Sequence, residues 1–468
     1  MQDDSKKYPP GRGPNSFATR LREFSKQGRA VPDAVPYPGD PTRWVINSQL
    51  LIELEEPVKR AGAKLSMTGL DVRDRSKRAV DVMVKRVSPC NPRLVLLEGL
   101  DKKQETHLLT GELSAIYSPE EDHPPPKIRT SSANDVQYSP EEDHPPPKIN
   151  TSSGGGEIMV DYGPASFDQQ LKRILAGSAA WSSFPIVAVM DTGIDFSYPN
   201  TRNLPIQHNG GHPMCGRTVE PDYVGWDFVH DQNNPYDDDD HNKHGSRIAA
   251  IIARVMNNKV RILPIKVINK EGFGTLFDIF SGFEYLLSDR LPEWPKVINA
   301  SWGFYTQTEN PLLTSYIRRL HTKGIWLVNA AGNRNDVRIG ETVDISLEKR
   351  WPACNSSQNF NVLTITTVSG QPRTVPFDVV ENFSGRFVNA GAGSGTDGRF
   401  REPLVDGDLP QVKGSSYATP YFSGFAAMVY LVPNNLVTRN NLLRAIPQDE
   451  QITVLGPKIA DGLIVRVE

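Results

Sequence analysis

The chain has 468 residues, with 52 Lys and Arg against 55 Asp and Glu and a formal net charge of −3. This length allows a large buried core and two or three domains, and it excludes a peptide or mini-protein. A near-neutral chain offers no overall positive field to a polyanion, so we expect no nucleic-acid partner. Three cysteines cannot form a disulfide framework, which favours a reducing compartment.

The sequence predicts neither secretion nor a membrane partner. No apolar segment follows the charged first residues, MQDDSKKYPP, so they do not resemble a secretory signal. The longest apolar stretch, around Phe422 to Val432, is interrupted and shorter than the roughly 18 residues of a membrane span. We therefore expect a cytoplasmic protein, or a secreted one if a signal has been removed from this chain.

The first part of the chain predicts an arm followed by a small domain. Residues 1–42 are rich in Pro, Gly, Lys and Arg without periodicity, which predicts a flexible arm. Residues 43–116 contain three strand-like apolar runs and a helix or turn around Asp74 to Ala79, which predicts an α+β accessory domain. The three runs are Val45–Leu54, Val80–Val84 and Leu94–Leu97.

A proline-rich repeat separates this domain from the rest of the chain. The sequence YSPEEDHPPPKI occurs at Tyr117–Ile128 and again at Tyr138–Ile149. Three successive prolines favour extended polyproline II, and the acidic residues keep the segment solvated. A flexible SSGGG stretch follows at Ser152–Gly156. We predict a spacer over 117–157, with a docking motif for a partner as the alternative.

Residues 158–468 predict an α/β domain. Short apolar runs alternate with helical stretches, a pattern typical of right-handed crossovers and a parallel sheet covered on both faces. We therefore expect three layers around a mostly parallel central sheet. The predicted strands are Pro185–Met190, Val260–Val267, Val297–Ala300 and Ile325–Ala331, and the predicted helices are Ile248–Val255, Leu276–Leu287 and Leu312–Leu320.

Four polar residues stand where such a sheet collects functional groups, at strand ends and helix starts. Asp191 and Asn333 follow apolar runs, and His244 and Ser416 precede helical stretches. Each alone is typical of an ordinary turn or helix cap. Together they supply the carboxylate, imidazole, amide and hydroxyl that acyl transfer requires.

Five segments in this order resemble the subtilisin-like serine proteases, or subtilases. They are VAVMDTGID, HGSRIAA, VINASWG, NAAGN and GSSYATP, and the resemblance covers about Phe184 to Val432. The order Asp, His, Ser is also that of the triad in this family. The resemblance implies the three-layer subtilisin-like fold and serine endopeptidase activity on polypeptides.

The resemblance also implies a role for individual residues. Ser416 would attack the peptide carbonyl, His244 would serve as general base and acid, and Asp191 would orient the imidazole. Asn333 and the Ser416 amide would stabilise the oxyanion. This chemistry needs no cofactor. An extended substrate would lie between two edges, Gly272-Phe273-Gly274 and Ser301-Trp302-Gly303.

The chain departs from the family pattern in two of these motifs, around His244 and around Ser416, and Ala250 stands where the family commonly has Gly. Arg247 stands where the family usually has a second histidine in His-Gly-Thr-His. Tyr417 stands where the family usually has Met after the nucleophile, which brings a larger aromatic ring to the site. Ser415, adjacent to Ser416, is the alternative nucleophile, but the motif favours Ser416.

Other features leave alternatives open. The acidic segment Asp222 to His241 is either a structural calcium site or a solvated loop, so the metal content stays unknown. The accessory domain is expected to inhibit the catalytic domain in cis or to bind a regulatory partner. The alternatives to a peptidase are a catalytically silent scaffold or sensor that binds peptides, and an esterase with the same chemistry.

Overall fold

The structure is a computed structural model. It describes residues 25–26, 34–37, 40–54, 56–68, 79–100, 128–138, 181–216, 221–239, 242–334 and, with short gaps, 336–467. Most of both proline-rich repeats, the Ser152–Gly156 stretch and the predicted helix or turn at 74–78 lie outside these residues.

The described part of the chain contains both strands and helices, numbered in chain order. The strands are β1 (Ala34–Tyr37), β2 (Asp40–Leu54), β3 (Lys64–Thr68), β4 (Ala79–Val87), β5 (Leu94–Glu98), β6 (Ile128–Tyr138), β7 (Ile186–Asp191), β8 (His212–Pro213), β9 (Pro221–Asp222), β10 (Trp226–Asp227), β11 (Arg261–Lys266), β12 (Phe273–Thr275), β13 (Val297–Ala300), β14 (Phe304–Tyr305), β15 (Trp326–Ala330), β16 (Arg350–Trp351), β17 (Val362–Gln371), β18 (Val375–Val379), β19 (Ala390–Gly393) and β20 (Leu463–Arg466). The helices are α1 (His244–Val255), α2 (Leu276–Leu286), α3 (Pro311–Thr322) and α4 (Ser415–Met428), with 3₁₀ turns at Met214–Gly216, Ala353–Ser357 and Val429–Leu431.

A mostly parallel sheet forms the centre of the larger domain. In the described part of the chain its strand order is β10-β11-β7-β13-β15-β17-β19-β20, and every neighbouring pair along this path is parallel. Only β18, paired antiparallel to β17, lies off the path. The predicted mostly parallel α/β sheet is therefore confirmed.

Side chains of each strand alternate between two apolar layers, as the two-residue period of a strand requires. Ile186, Ala188 and Met190 of β7 belong to the core that contains α2 and α3. Val187 and Val189 belong to the core that contains α1 and α4. The sheet thus lies between two helical layers, and the predicted three-layer architecture is confirmed.

A second, antiparallel sheet forms the accessory domain. Its order is β6-β2-β5-β4-β3, β1 pairs with β2, and β12 of the larger domain joins its outer edge through β6. The predicted runs Val45–Leu54, Val80–Val84 and Leu94–Leu97 lie in β2, β4 and β5. The described residues between 34 and 100 form strands and turns but no helix. The helix of the predicted α+β domain is therefore not seen in this part of the chain.

The accessory sheet is apolar on both faces. Leu50 and Ile52 of β2 lie in a core of the accessory domain itself. Leu51, together with Leu94 and Leu96 of β5, lies in the same core as α2 and α3. Because successive residues point to opposite faces, one face closes the accessory domain and the other packs against the larger domain. The two domains therefore share an apolar interface.

Polar contacts and a disulfide reinforce this interface. Arg86 of β4 donates to Asp278 Oδ1 of α2 at 2.6 Å, and its guanidinium lies 4.5 Å from the Phe277 ring centroid. Asn91 donates to Glu284 Oε1 of α2 at 2.9 Å. A disulfide joins Cys90 in the accessory domain to Cys215, 125 residues further along the chain.

The structure differs from two of the predicted segments. Strand β1 lies within residues 1–42, which were predicted as a flexible arm, and β6 lies within 117–157, which was predicted as a spacer. The reason for the second difference is that the residues between the two repeats contain no proline. Their amide groups can therefore pair with β2, as they do from Asp135 to Ile128, with register shifts between Val45 and Leu50 and between Glu53 and Leu54 of β2.

The disulfide bears on the compartment in which the protein is expected. Disulfides persist mainly in oxidising compartments, so the small number of cysteines does not support a reducing, cytoplasmic environment. Of the helices that the structure describes, none combines the length and apolar character of a membrane span. The third cysteine, Cys354, is buried, and this burial raises the pKa of its thiol to about 12.

We predict that the Cys90→Ser/Cys215→Ser double variant loses about 2–5 kcal/mol in free energy of unfolding, because the disulfide restricts a long loop of the unfolded chain. Denaturant titration under oxidising conditions measures this change. A reducing agent should lower the stability of the wild type and leave the double variant unchanged. An equal loss in both proteins would contradict the prediction.

We also predict that Gly245→Ala destabilises the fold, although Gly to Ala in a helix usually stabilises by up to about 1 kcal/mol. A Cβ at Gly245 would lie 2.3 Å from the carbonyl oxygen of Gly193, and backbone cannot move aside cheaply. We expect a loss of about 1–3 kcal/mol in denaturant titration. Gly282→Ala is the control, because its Cβ would meet the flexible terminal methyl of Met190 at 2.9 Å. An equal loss in both variants would contradict this explanation.

Candidate active site

Asp191 and His244 form a buried pair where strand β7 meets helix α1. His244 Nδ1 lies 2.7 Å from Asp191 Oδ1, and the two side chains are 1% and 0% exposed. The same Oδ1 accepts the Thr192 amide at 2.8 Å. A carboxylate in this position fixes the orientation of the imidazole and leaves Nε2 at the other side of the ring.

The first turn of α1 is held by residues outside the helix. Its N-cap, Lys243, has a left-handed backbone (φ 51°) and makes no side-chain cap. Instead, Thr192 Oγ1 accepts the Gly245 amide at 2.8 Å, and Asp237 Oδ2 accepts the Ser246 amide at 3.0 Å. These contacts satisfy amides that a helix start leaves unpaired. They also fix His244 against the end of β7.

Asp237 is itself buried, and this burial raises the pKa of its carboxyl group. Its Oδ2 also accepts the Ser246 hydroxyl at 2.6 Å, and Lys243 Nζ donates to its backbone carbonyl at 2.7 Å. Lys243 Nζ further lies 3.3 Å from Asp195 Oδ2. The segment before His244 is thus tied into a network of buried polar groups.

Asn333 and Ser415 are linked at the start of α4. Asn333 Oδ1 accepts the Ser415 amide at 2.6 Å and the Ser415 hydroxyl at 2.8 Å. Ser415 Oγ in turn accepts the Gly332 amide at 3.1 Å. Because the carbonyl end of the Asn333 amide is directed to Ser415, its NH₂ group lies at the opposite end. Ser415 therefore supports Asn333 in this structure.

Ser416 occupies the first turn of α4, after Gly414, whose φ of 128° favours glycine. Its hydroxyl donates to the Ser301 carbonyl at 3.1 Å, and Ser301 Oγ donates to the Ser416 carbonyl at 2.9 Å. The ring centroid of Tyr417, the next residue, lies 5.6 Å from that of His244. The start of α4 thus lies beside the imidazole.

Phe273 and Gly274, two residues of one predicted substrate edge, lie in β12, and Gly272 directly precedes it. This strand pairs antiparallel with the chain's own β6, with Phe273 opposite Tyr138 and Thr275 opposite Val136. The backbone that was predicted to pair with substrate is therefore paired with the accessory sheet.

The other predicted edge contains Ser301, Trp302 and Gly303. Trp302 is fully buried, and its ring centroid lies 6.4 Å from that of Phe283 in α2. At Gly303 a Cβ would lie 2.4 Å from the Arg350 guanidinium carbon. The side chains of Ser301 and Trp302 are thus both packed inside the protein.

The acidic segment contributes structural contacts. Asp222 accepts the Tyr285 hydroxyl at 2.6 Å, and Asp227 accepts the amides of Val229 and His230 at 2.9 and 3.0 Å. Asp238 pairs with Lys266 at 2.8 Å. Across the described part of the chain, no three His, Cys, Asp or Glu side chains converge on a possible metal position. Asp240 and His241 lie outside the described residues, and the calcium site stays a prediction.

Sequence reasoning missed one network beside the pair. Arg247 Nε and Nη2 donate to the two carboxylate oxygens of Glu402 at 3.0 and 2.7 Å. Arg247 also donates to Asn242, whose Oδ1 accepts the Tyr417 hydroxyl at 3.0 Å. Two of the departures from the family pattern, Arg247 and Tyr417, are thus joined through Asn242. Both residues differ from the family pattern, and this was the signal in the sequence that they act together. They lie 170 positions apart, so no local pattern indicates that they share a contact.

Comparison with known proteins agrees with this architecture. The sequence profile of the Subtilase family matches residues 183–448. Subtilisin-like protease 1 of Plasmodium falciparum (isolate 3D7) is 23% identical over 271 residues, which cover 53% of this chain and 38% of the relative. The thermophilic serine proteinase of Bacillus sp. (strain AK1) is 27% identical over 257 residues, covering 53% of this chain and 52% of the relative.

The solved structure of fervidolysin from Fervidobacterium pennivorans, a keratinolytic enzyme related to subtilisin, aligns with a TM-score of 0.48 at 16% identity. The alignment covers 85% of this chain and 56% of that one. The chain spans about half or less of the length of the two curated relatives named above. The family profile, in contrast, covers more than half of this chain, and the chain belongs to the subtilase family.

Proposed function

We propose that this protein is a serine endopeptidase in which Ser416 is the nucleophile, His244 the general base and acid, and Asp191 the residue that orients the imidazole. The observation that carries the proposal is the buried 2.7 Å contact between His244 Nδ1 and Asp191 Oδ1 beside the start of α4. Burial strengthens this interaction, and a scaffold that only bound peptides would need neither group. Family membership supports the same reaction class.

The proposed reaction begins with acyl transfer to Ser416. Ser416 Oγ turns from the Ser301 carbonyl, transfers its proton to His244 Nε2 and bonds to the substrate carbonyl carbon. The oxyanion that forms accepts hydrogen bonds from the Ser416 amide, at a helix start, and from the Asn333 NH₂ group. The imidazolium then gives its proton to the leaving amine, which leaves an acyl-enzyme. Water, deprotonated by His244, hydrolyses this ester and restores Ser416.

We further propose that the substrate is an extended polypeptide and that the accessory sheet restrains the enzyme. The β12 edge is paired with residues 136–138 of β6, and an extended substrate would need the same backbone groups of β12. The apolar face of the accessory sheet and the disulfide support a stable restraint. Peptide cleavage would then require displacement of β6, whereas a small reagent would not need the β12 edge.

We predict that a small fluorophosphonate labels the full chain and that Ser416→Ala abolishes labelling, because this reagent needs an activated hydroxyl but not the β12 edge. Asn333→Ala should lower the labelling rate about 100- to 1,000-fold through loss of an oxyanion donor. Ser415→Ala should lower it about tenfold, because only one of its two hydrogen bonds to Asn333 is lost. The rate is measured by mass spectrometry of the intact protein.

Ser415→Ala is the matched control for Ser416→Ala, because the two variants remove the same atom from neighbouring residues. Labelling that survives in Ser416→Ala and disappears in Ser415→Ala would contradict the assignment of the nucleophile. A folded chain that never labels, even after β6 is released, would be a silent peptide-binding module. Labelling and ester hydrolysis without peptide cleavage, even after β6 is released, would indicate an esterase.

We predict that Val136→Pro/Gln137→Pro increases the cleavage of denatured casein by the full chain at least tenfold. Successive amides of a strand point to opposite sides, so two adjacent prolines necessarily remove one amide that faces β12. The matched control is Val136→Ala/Gln137→Ala, which keeps both amides. Casein cleavage is measured alongside fluorophosphonate labelling, which should stay within about twofold of the wild type in both variants.

Equal casein cleavage by wild type, proline variant and alanine variant, with labelling intact in all three, would contradict restraint by β6. A rise in the alanine variant as large as that in the proline variant would show that the side chains, not the backbone pairing, are responsible.

A further inference from the structure

Tyr417, the residue after the proposed nucleophile, places its aromatic ring against the imidazole of His244. Tyr417 is fully buried, and its ring lies 5.6 Å from the His244 ring, centroid to centroid, with 56° between the planes. A cation within about 6 Å of an aromatic centroid is attracted by the ring quadrupole. The methionine usual in this family has no such ring.

The position of the Tyr417 ring is fixed from its other end. Its hydroxyl donates to Asn242 Oδ1 at 3.0 Å, and the same oxygen accepts a hydrogen bond from Arg247. Arg247 also donates to the Asn242 carbonyl at 2.7 Å. Asn242 lies two residues before His244, so the ring of α4 is tied to the chain segment that carries the imidazole.

A buried ion pair completes this connection. The Arg247 and Glu402 side chains are 0% and 4% exposed and form two parallel hydrogen bonds. Bidentate pairs of this kind define both distance and orientation. The hydroxyl of Tyr417 therefore meets an acceptor that is itself held by a rigid group, and the ring cannot turn away from His244 without breaking this contact.

A ring beside His244 matters when the imidazole is protonated and carries a positive charge. The imidazole is 1% exposed, so the imidazolium that forms during the reaction has little access to water. Asp191 faces it from β7. Charged groups at the start of α1 are also paired: Lys243 with Asp195 at 3.3 Å and with the backbone of buried Asp237, and Arg247 with Glu402. The Tyr417 ring also lies against the imidazole, 5.6 Å away between ring centroids.

We propose that Tyr417 is a positioning residue that holds the His244 imidazole in place and stabilises its protonated form during catalysis, with Asn242, Arg247 and Glu402 fixing the ring. The proposal rests on the function proposed above and names a residue and a network that it did not include.

The test uses the full chain and the rate of Ser416 modification by the small fluorophosphonate, measured from acidic to alkaline pH. Tyr417→Met installs the usual family residue and removes the ring. We expect its limiting rate to fall about tenfold and the midpoint of the acidic limb to move down by about one pH unit. The direction follows because the ring favours the charged imidazole, so its loss lowers the imidazole pKa.

Tyr417→Phe is the matched variant, since it keeps the ring and removes only the hydroxyl. We expect the midpoint of its acidic limb to stay at the wild-type value and its rate to fall two- to threefold, because the contact with Asn242 is lost. If Tyr417→Met does not fold, Tyr417→Phe decides alone, and a shifted midpoint in that variant overturns the proposal.

Other outcomes also separate the possibilities. A folded Tyr417→Met with unchanged midpoint and rate overturns the proposal, as do equal shifts in the Met and Phe variants. A wild type that is not labelled at all, with its fold intact, overturns the proposed function instead. Thermal unfolding of each variant distinguishes a general loss of stability from an effect on the imidazole.

Discussion

The structure depends on one contact, the buried hydrogen bond between His244 and Asp191. To make it, the first turn of α1 must approach the end of β7 so closely that a Cβ at Gly245 would collide with the Gly193 carbonyl. The helix start cannot use its own N-cap side chain there, so Thr192 and Asp237 take over that task. The end of β7, Gly245 and the two capping residues are therefore all required for this contact.

Bringing these groups into the interior also brings charges that must be compensated. Burying an unpaired charge is expensive, and even a paired one offsets its desolvation only with good geometry. Lys243 is held by Asp195 and the Asp237 carbonyl, and Arg247 is held by Glu402 in a bidentate arrangement. The two pairs lie at the start of α1, so the same interactions that make the burial tolerable also keep His244 in place.

Much of the larger domain could be predicted because its signals are local. Apolar runs reveal strands, and the carboxyl ends of parallel strands meet at one edge, so Asp191 and Asn333 could be expected near each other. Contacts between distant segments left no such pattern. The Cys90–Cys215 disulfide, the pairing of β6 with β12 and the hydrogen bond from Tyr417 to Asn242 each depend on how finished elements pack. Periodicity within one segment carries no information about that packing.

In the proposed restraint, the accessory sheet would allow a short strand pairing to compete with a polypeptide substrate. Three residues of β6 opposite β12 would bind weakly as a free peptide. Here Leu51, Leu94 and Leu96 pack on the larger domain, and the disulfide links the two domains covalently. Tethering of this kind gives β6 a high effective concentration at the edge. The strength of the proposed restraint would therefore depend mainly on the face of the sheet that packs against α2 and α3, rather than on the side chains of β6.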